Sequence, residues 1–299
     1  MKHSTPVAAR RCKLCANIPV ALLYTIARGD DAFDLLECAA CGFHFIDYLD
    51  APAPSSAPRA PVSDAELAGG LESNQQRLED NLALLRNHAR GRTVLDIGSG
   101  GGGFLHRVRE EGWHAVGIEL DPRYVARGRA LGLDISDRPV EHASWDRKTG
   151  CFDAVTLWDV IEHLNDPLRV IARAYQLLRP GGVLLMDTPS RDGFLYRLGE
   201  VTARLTGGRY TGTMGIQYSP DPFCHKQIFR KVDMRNLLAA PGFGSVDIRE
   251  KFELSFPAEY YTRHFIRSEP ARRVVNPLAR LALAALPIRN KMIVVAHKG

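Results

Sequence analysis

Apolar runs alternate with helical patterns from Thr93 to the middle of the chain, and this alternation is the strongest signal in the sequence. The runs are short and rich in branched and aromatic residues, as buried strands are. Predicted strands cover 94–97, 114–119, 133–136, 152–158 and 183–187, and helical patterns begin at Phe104, Pro122 and Pro167. The predicted fold is therefore α/β, a parallel sheet with helices on both faces.

A stretch rich in proline and alanine interrupts the chain before this pattern begins. It is DAPAPSSAPRAPV, and it predicts a linker over 51–62 between an N-terminal domain, 1–50, and a large domain, 63–299. Ser63-x-x-Glu66 fits a capping box, and leucines at 78, 82 and 85 continue at helical spacing to about Gly91. This helical segment either packs on the core or closes over a ligand.

The composition is that of a globular protein with a mild positive charge. The 299 residues are 45% hydrophobic and carry a net charge of +5. Lys and Arg are interleaved with acids, so no nucleic-acid partner is expected. The chain shows neither an apolar leader at its start nor a run of about 20 apolar residues, so we expect a soluble, cytoplasmic protein.

Four of the six cysteines form two CxxC pairs in the N-terminal segment. Cys12 and Cys15 are separated from Cys38 and Cys41 by 22 residues, which is typical of a four-thiolate zinc site. Disulfides are disfavoured without a secretory signal. Because four thiolates leave no open position on zinc, we expect the metal to be structural. His44 is not needed as a ligand.

The predicted strand 94–97 ends in a glycine-rich turn, TVLDIGSGGGG, that leads into a helix. Gly98, Gly100 and Gly103 fit the dinucleotide fingerprint. Asp96, however, would repel a pyrophosphate and would favour a cation. S-adenosylmethionine (SAM) carries an ammonium and a sulfonium, so SAM is the favoured ligand. Glu119 lies about 20 residues past the turn, where an acid binds ribose hydroxyls.

Four ordered motifs then resemble those of class I SAM-dependent methyltransferases, close to the ubiquinone-biosynthesis O-methyltransferases. They are VLDIGSGGG, GIELDP, FDAVTLWDVIEHLNDP and LLRPGGVLLMDTP, and the resemblance covers roughly Leu78 to the C-terminus. It implies a Rossmann-like, seven-stranded sheet. The last two strands, 245–254 and 291–297, would form an antiparallel hairpin.

The resemblance also implies roles for individual residues. Asp96, Gly98 and Gly100 would hold the methionine end of SAM, Glu119 the ribose, and Asp159 would lie at the methyl-transfer face. The predicted zinc ribbon departs from the plain family domain. It resembles the cysteine-rich heads of some sugar C-methyltransferases and of an rRNA guanine methyltransferase, which widens the choice of acceptor.

Two groups of side chains are candidates for catalysis. Asp159, Glu162 and His163 keep the acid-x-x-Glu-His pattern that similar quinone enzymes use as a divalent-metal site; alternatively, Glu162 and His163 brace the following helix. His225 follows an insertion, about 190–225, that would cover the acceptor as a lid. His225 is either a general base or a structural histidine.

The segment 270–286 has the pattern of a basic amphipathic helix. Its apolar face either packs on its own domain or makes peripheral contact with a membrane. The chain as a whole predicts a SAM-dependent methyltransferase, acting at oxygen of a small-molecule, glycan or lipid-linked acceptor. The alternatives are a nucleotide-sugar C-methyltransferase and, below it, an rRNA base methyltransferase or a non-catalytic zinc-ribbon binding module.

Overall fold

The computed structural model of the chain describes residues 11–28, 31–49, 75–218, 224–251, 262, 266, 268–285 and 289–299. The chain divides into two compact units. The first unit contains Met1–Tyr48, Thr188–Met234 and Arg249–Ile293, and the second contains Leu49–Asp187, Arg235–Ile248 and Val294–Gly299. The predicted linker and the capping box at Ser63 lie outside the described residues, so the predicted domain boundaries stay a prediction.

A seven-stranded sheet carries the α/β pattern, which confirms the predicted Rossmann-like class. Its strands are β4 (Thr93–Ile97), β5 (His114–Ile118), β6 (Asp134–Ser136), β7 (Phe152–Trp158), β8 (Leu178–Pro189), β9 (Phe243–Lys251) and β10 (Lys291–Lys298). Their order is β6-β5-β4-β7-β8-β10-β9. Parallel pairing joins β4 to β5 and β7, β5 to β6, and β7 to β8. The register places Asp96 opposite both Gly117 and Thr156, so its carboxylate lies at the middle of the sheet.

The last two strands follow the family expectation in position. β9 and β10 are neighbours at one edge of the sheet, although residues 252–254 of the predicted strand lie outside the described part of the chain. The strand predicted over 183–187 is longer in the structure. β8 begins at Leu178, and its pairing with β7 jumps from Leu178 to Val183 across a bulge in which Gly181 adopts a φ of +72°.

The helices predicted to begin at Phe104, Pro122 and Pro167 start within one residue of these positions. The described α-helices are α1 (Gln75–His88), α2 (Gly103–Glu110), α3 (Pro122–Ala130), α4 (Pro167–Leu177), α5 (Phe194–Leu205), α6 (Gly212–Gln217), α7 (Lys231–Ala239) and α8 (Glu269–Ala285). Asp121 and Asp166 cap α3 and α4, and each helix has proline at its start, the preferred position for it. Within the described residues, no helix has both the length and the apolarity to cross a membrane.

The core of the second unit forms between α1, α2 and the central strands. Leu82 and Leu85 of α1 pack with Val94, Phe104 and the apolar side chains of β7 and β8. Burying such side chains is worth roughly 1.5–3 kcal/mol each. The leucine periodicity therefore reports core packing for this helix.

The first unit has its own small sheet and core. β1 (Val20–Arg28), β2 (Asp31–Cys38) and β3 (His44–Ile46) form an antiparallel sheet in that order. The core combines residues of this sheet with residues of the insertion; its members are Ile26, Leu35, Ile46, Tyr196, Met214, Tyr218 and Ile228. The backbone N–H of Ile46 also donates to the carbonyl of Lys226 at 2.8 Å. The N-terminal segment and the insertion thus share one hydrophobic core.

Candidate cofactor site and metal centre

Asp96 is a buried carboxylate at the carboxyl end of β4. Its Oδ1 accepts a hydrogen bond from Thr156 Oγ1 at 2.7 Å. Burial raises the pKa of Asp96 to about 7; the Thr156 hydrogen bond opposes this rise and the charge of Glu119 adds to it. Because a buried carboxylate is costly without a positive partner, a cationic ligand would lower this pKa and hold the ionised form.

The glycine turn after β4 has a backbone that few other residues could adopt. Gly98 has a φ of +77°, and a Cβ there would lie 2.4 Å from Val160 Cγ2. The N–H groups of Gly98 and Ser99 both donate to the carbonyl of Ile118. Gly100 also has a positive φ, of +54°, but a Cβ on it would meet nothing within 4 Å among the described atoms. The turn therefore leaves room for a ligand beside Gly100.

Glu119 joins this turn to the loop that follows β5. Its Oε2 accepts from the Gly100 N–H at 2.8 Å, and its Oε1 accepts from the N–H groups of Leu120 and Asp121 at 2.7 and 2.8 Å. These bonds fix the carboxylate at the carboxyl edge of the sheet, where ligands of open α/β folds bind. Asp96, Gly98, Gly100 and Glu119 thus lie in one corner, which we call the glycine corner. The carboxylates of Asp96 and Glu119 would suit a ligand that carries a cationic group and vicinal hydroxyls, as SAM does.

Asp159 follows β7 and lies in the same unit with a strained backbone. Its φ is +53°, a value that non-glycine residues rarely adopt and that clusters at functional sites. Arg77 Nη2 lies 2.9 Å from Asp159 Oδ2 and 3.0 Å from Asp187 Oδ1. The Asp159 N–H also donates to Asp187 Oδ1 at 2.9 Å. Two carboxylates and one guanidinium therefore hold this loop in place.

Sequence reasoning missed both Arg77 and Asp187. Asp187 is fully buried near the end of β8, so it repeats the position of Asp96 and Asp159 at strand ends, and that repetition could have revealed it. Arg77 offered no such signal. It precedes Leu78 on a helix whose pattern reports only which face is apolar.

Glu162 and His163 lie in a short 3₁₀ helix, Ile161–His163, just after Asp159. Glu162 is fully buried, and its Oε1 lies 3.8 Å from His163 Nε2. The His163 N–H donates to the carbonyl of Val160 at 2.9 Å. These contacts are compatible with both predicted roles of Glu162 and His163, which are binding a divalent metal and bracing the following helix.

The four predicted metal ligands converge in the first unit. One sulfur from each of Cys12, Cys15, Cys38 and Cys41 lies within 4.8 Å of all the others, and none is in a disulfide. Cys12 Sγ is 3.7 Å from Cys41 Sγ, and Cys15 Sγ is 3.6 Å from Cys38 Sγ. Tetrahedral zinc with bonds of about 2.3 Å requires sulfurs about 3.8 Å apart, so the residues fit the metal.

A buried polar network lies three residues beyond Cys41 and was not predicted. Arg191 Nη2 donates to His44 Nε2 at 2.8 Å, which places the imidazole proton on Nδ1, 3.0 Å from Tyr196 Oη. Tyr196 Oη lies 2.7 Å from Tyr218 Oη. Burial, and then the charges of Arg191 and other arginines, lower the pKa of His44 to about 2. His44 is therefore neutral at physiological pH, and we call this set the His44 network.

Arg191 of the insertion and Arg230, just beyond it, donate to the backbone of the second cysteine turn. Arg191 Nη1 donates to the Gly42 carbonyl at 2.6 Å, and Arg230 Nη2 donates to the Cys41 carbonyl at 2.7 Å. Phe43 packs against Phe229 with ring centroids 5.2 Å apart and the rings tilted by 45°. The four-cysteine cluster and the insertion are thus parts of one hydrogen-bonded and packed structure.

His225 lies in the first unit, half-buried at the end of the insertion. Its Nδ1 is 3.0 Å from the Gln217 carbonyl oxygen. A carbonyl only accepts, so the proton is on Nδ1 and the lone pair of the neutral ring is on Nε2. An imidazole oriented in this way has the tautomer that a general base requires.

Residues 71–247 match the methyltransferase domain family, which is more than half of the chain. The chain belongs to this family. Ubiquinone biosynthesis O-methyltransferases are similar to it: the protein from Nitrosococcus oceani is 35% identical over 129 residues, 41% of this chain and 55% of that relative. The protein from Xanthomonas oryzae pv. oryzae is 35% identical over 119 residues, 38% of this chain and 49% of that relative. The match spans about half the length of these curated relatives.

Solved structures share the fold at low sequence identity. A SAM-dependent methyltransferase from Thermotoga maritima has a TM-score of 0.50 and 16% identity, over 78% of this chain and 95% of that one. The YcgJ protein from Bacillus subtilis has a TM-score of 0.51 and 14% identity, over 74% and 98%. These likenesses show the fold alone. The methyltransferase fold supports SAM binding.

Proposed function

We propose that this protein is a SAM-dependent methyltransferase that methylates oxygen of a small-molecule acceptor. The observation that carries the proposal is the buried carboxylate of Asp96 beside the open space at Gly100, in a chain that belongs to the methyltransferase domain family. SAM supplies an electrophilic methyl group on a sulfonium. The choice of oxygen is supported by relatives that are O-methyltransferases.

In this proposal the glycine corner binds the cofactor through three kinds of contact. Asp96 provides the negative charge for the cationic methionine end, and Gly98 and Gly100 let the backbone approach it. Glu119 accepts hydrogen bonds from ribose hydroxyls. Asp159, held by Arg77, borders the site of transfer, and its strained backbone supports that assignment.

We propose His225 as the general base that removes the proton from the acceptor hydroxyl. The tautomer imposed by the Gln217 carbonyl places the lone pair on Nε2, where it can accept that proton. His163 is the second candidate, because it lies in the loop that contains Asp159. Glycan and lipid-linked acceptors belong to the classes to be screened.

We further propose that the four cysteines bind one structural zinc ion. A ribbon of about 40 residues cannot bury a core large enough to be stable alone, so the metal would contribute to folding. Metal analysis of purified protein should find one zinc per chain, and Cys38→Ser should lower that content. Protein purified without chelators that contains no zinc contradicts this proposal.

The function is tested first at the cofactor and then at the acceptor. Asp96→Ala should abolish SAM binding in calorimetry, while Asp146→Ala, an exposed acid in the same unit, should leave it unchanged. Acceptor screening by mass spectrometry should reveal the mass gain of one methylene. Undiminished SAM affinity of Asp96→Ala would refute the assigned role.

The role of His225 is tested separately. His225→Ala should lower kcat by roughly 100-fold or more without changing SAM affinity. His114→Ala, an exposed histidine on β5, is the matched control. A fully active His225→Ala enzyme excludes His225 as the base and transfers the role to His163.

A further inference from the structure

Helix α5 carries an apolar stripe on the side that faces solvent. Its residues recur at spacings of four, three and four and are 43–83% exposed; they are Phe194, Leu198, Val201 and Leu205. The opposite side of the helix is buried through Tyr196, Gly199 and Ala203. A helix that is apolar on both sides is stable in a protein when both sides are covered. The exposed apolar side of α5 is therefore suited to contact with an apolar environment outside the protein.

Helix α8 repeats this arrangement in the same compact unit. Val274, Leu278 and Leu281 recur at spacings of four and three and are 61–69% exposed. The sequence left two interpretations for this segment, packing on its own domain or contact with a membrane. The exposure of these three side chains favours the second, because the described part of the stripe is not packed against the protein.

Arginines lie to one side of both stripes. At 100° per residue, Arg197 and Arg204 lie about 70–90° from the centre of the α5 stripe, and Arg273 and Arg280 lie about 105–125° from that of α8. All four are exposed. In the described part of the chain, Arg197 lies 3.6 Å from Asp192 and Arg273 lies 2.9 Å from Glu269. Long cationic side chains beside an apolar stripe can extend to anionic headgroups while their stems stay in apolar surroundings.

The start of α5 lies against the chain segment between α8 and β10. The Phe194 N–H, at the start of α5, donates to the Arg289 carbonyl at 3.2 Å, and the Ser190 N–H donates to the Asn290 carbonyl at 2.8 Å. Arg289 is four residues beyond the end of α8. The stripes therefore belong to neighbouring elements of one unit.

We propose that α5 and α8 form a docking surface for an anionic lipid bilayer. Amphipathic helices with arginine on the flank of an apolar face bind at the boundary between headgroups and acyl chains, and each basic residue adds about 1 kcal/mol near an anionic surface. A second copy of the chain fits this surface less well. A two-fold contact would bring the arginines of both copies into one interface, and like charges oppose association.

Vesicle co-sedimentation of the full chain tests this surface. The protein should bind vesicles of phosphatidylcholine with 30% phosphatidylglycerol roughly tenfold more tightly than pure phosphatidylcholine, and 0.5 M salt should remove most of the difference. The double variant Val201→Glu/Val274→Glu should lose at least tenfold in binding, because it places two carboxylates in the stripes. Val232→Glu, at an equally exposed valine of α7, is the matched control and should bind as the parent does.

The charge requirement is tested with arginines. Arg204→Gln/Arg280→Gln should weaken binding to the anionic vesicles by roughly tenfold and leave binding to pure phosphatidylcholine unchanged. Arg147→Gln/Arg235→Gln removes the same charge elsewhere and should have less than a threefold effect. Circular dichroism and the midpoint of thermal unfolding should show that all variants fold.

Two results would overturn the proposal. One is vesicle binding that the valine variants do not reduce. The other is a parent protein that ignores vesicles but sediments as a dimer, with Val201→Glu/Val274→Glu sedimenting as a monomer, since the stripes would then contact a second copy. Neither result depends on whether the protein methylates an acceptor.

Discussion

The glycine corner and the His44 network are both buried polar structures, but they are assembled in different ways. The corner uses residues at the ends of adjacent parallel strands, so its members meet wherever this sheet forms. The His44 network joins residues 147 and 152 positions apart in the chain. Strand ends can be read from periodicity, whereas partners so distant in the chain are chosen by tertiary packing.

The two regions also differ in how their charges are balanced. Asp96 forms no ion pair among the described residues, and burial raises its pKa to about 7. His44 is next to the guanidinium of Arg191, and burial together with arginine charges lowers its pKa to about 2. The network is satisfied by its own side chains, while the corner lacks a positive charge that a ligand can supply.

Removing a metal ligand should produce the largest effect and should separate the two regions. Cys38→Ser is expected to abolish hydrogen-exchange protection in β2, β3 and α5, because zinc bound by four thiolates contributes roughly 10–16 kcal/mol to such folds. Protection of β4 and β5 should persist. Cys151→Ser, in the second unit, is the control and should change neither region. Loss of protection in β4 and β5 as well would contradict the expectation that the two regions depend on different interactions.

Replacing Arg191 tests whether the His44 network depends on its central cation. Arg191→Met should destabilise the protein by about 3–5 kcal/mol, because it leaves Glu200, the Gly42 carbonyl and His44 without their donor. Urea denaturation measures this change. The matched variant is Arg197→Met, which removes an exposed arginine of α5 and should cost less than about 1 kcal/mol. Equal effects of the two variants would refute the network.

Asp96→Asn tests whether the charge of Asp96, which would bind a cationic ligand, lowers the free energy of unfolding of the ligand-free protein. The pKa of Asp96 in the folded state lies above the usual value of 3.8, so this carboxyl contributes stability below pH 4 that is lost as the pH rises to about 7. Without ligand, Asp96→Asn should therefore become more stable than the parent by up to about 4 kcal/mol at pH 8. Its SAM affinity should fall by roughly tenfold to a hundredfold.

Denaturation at pH 4.5, 6 and 8 with and without SAM measures both effects of this substitution. The difference between variant and parent cancels the titration of other groups, including the cysteines. A parent that is more stable than Asp96→Asn at pH 8 without SAM would contradict the assigned pKa.

Asp153 should show the opposite pH dependence with a smaller effect. Burial opposes ionisation, but hydrogen bonds from the Thr93 hydroxyl and N–H, and the Arg179 ion pair, lower the pKa of Asp153. Its stabilisation is therefore present above pH 4 and is lost as the pH falls below that value. Asp153→Asn should cost about 1.5–3 kcal/mol at pH 7 and less at pH 3, by urea denaturation. A cost that increases toward pH 3 would exclude this role.

Much of the fold could be predicted because its signals are local. The acids at the ends of β4, β5 and β7, the glycine turn and the two CxxC pairs each occupy a few consecutive positions. The ion pairs of Arg77 could not be predicted in the same way. An arginine on a helix is usually solvated, and only packing of α1 on the sheet brings Arg77 to Asp159 and Asp187.

The sequence by itself determined the strand and helix order, the glycine corner and the grouping of the four cysteines that are predicted to bind a metal. These depend on backbone conformation, side-chain periodicity and ligand spacing, which are properties of short segments. The tertiary structure decided which buried side chains form hydrogen bonds and ion pairs with each other, and which apolar faces stay exposed. The stripes of α5 and α8 have the same helical periodicity as the leucines of α1. Packing buries the leucines of α1 in the core, whereas the stripes of α5 and α8 stay in solvent.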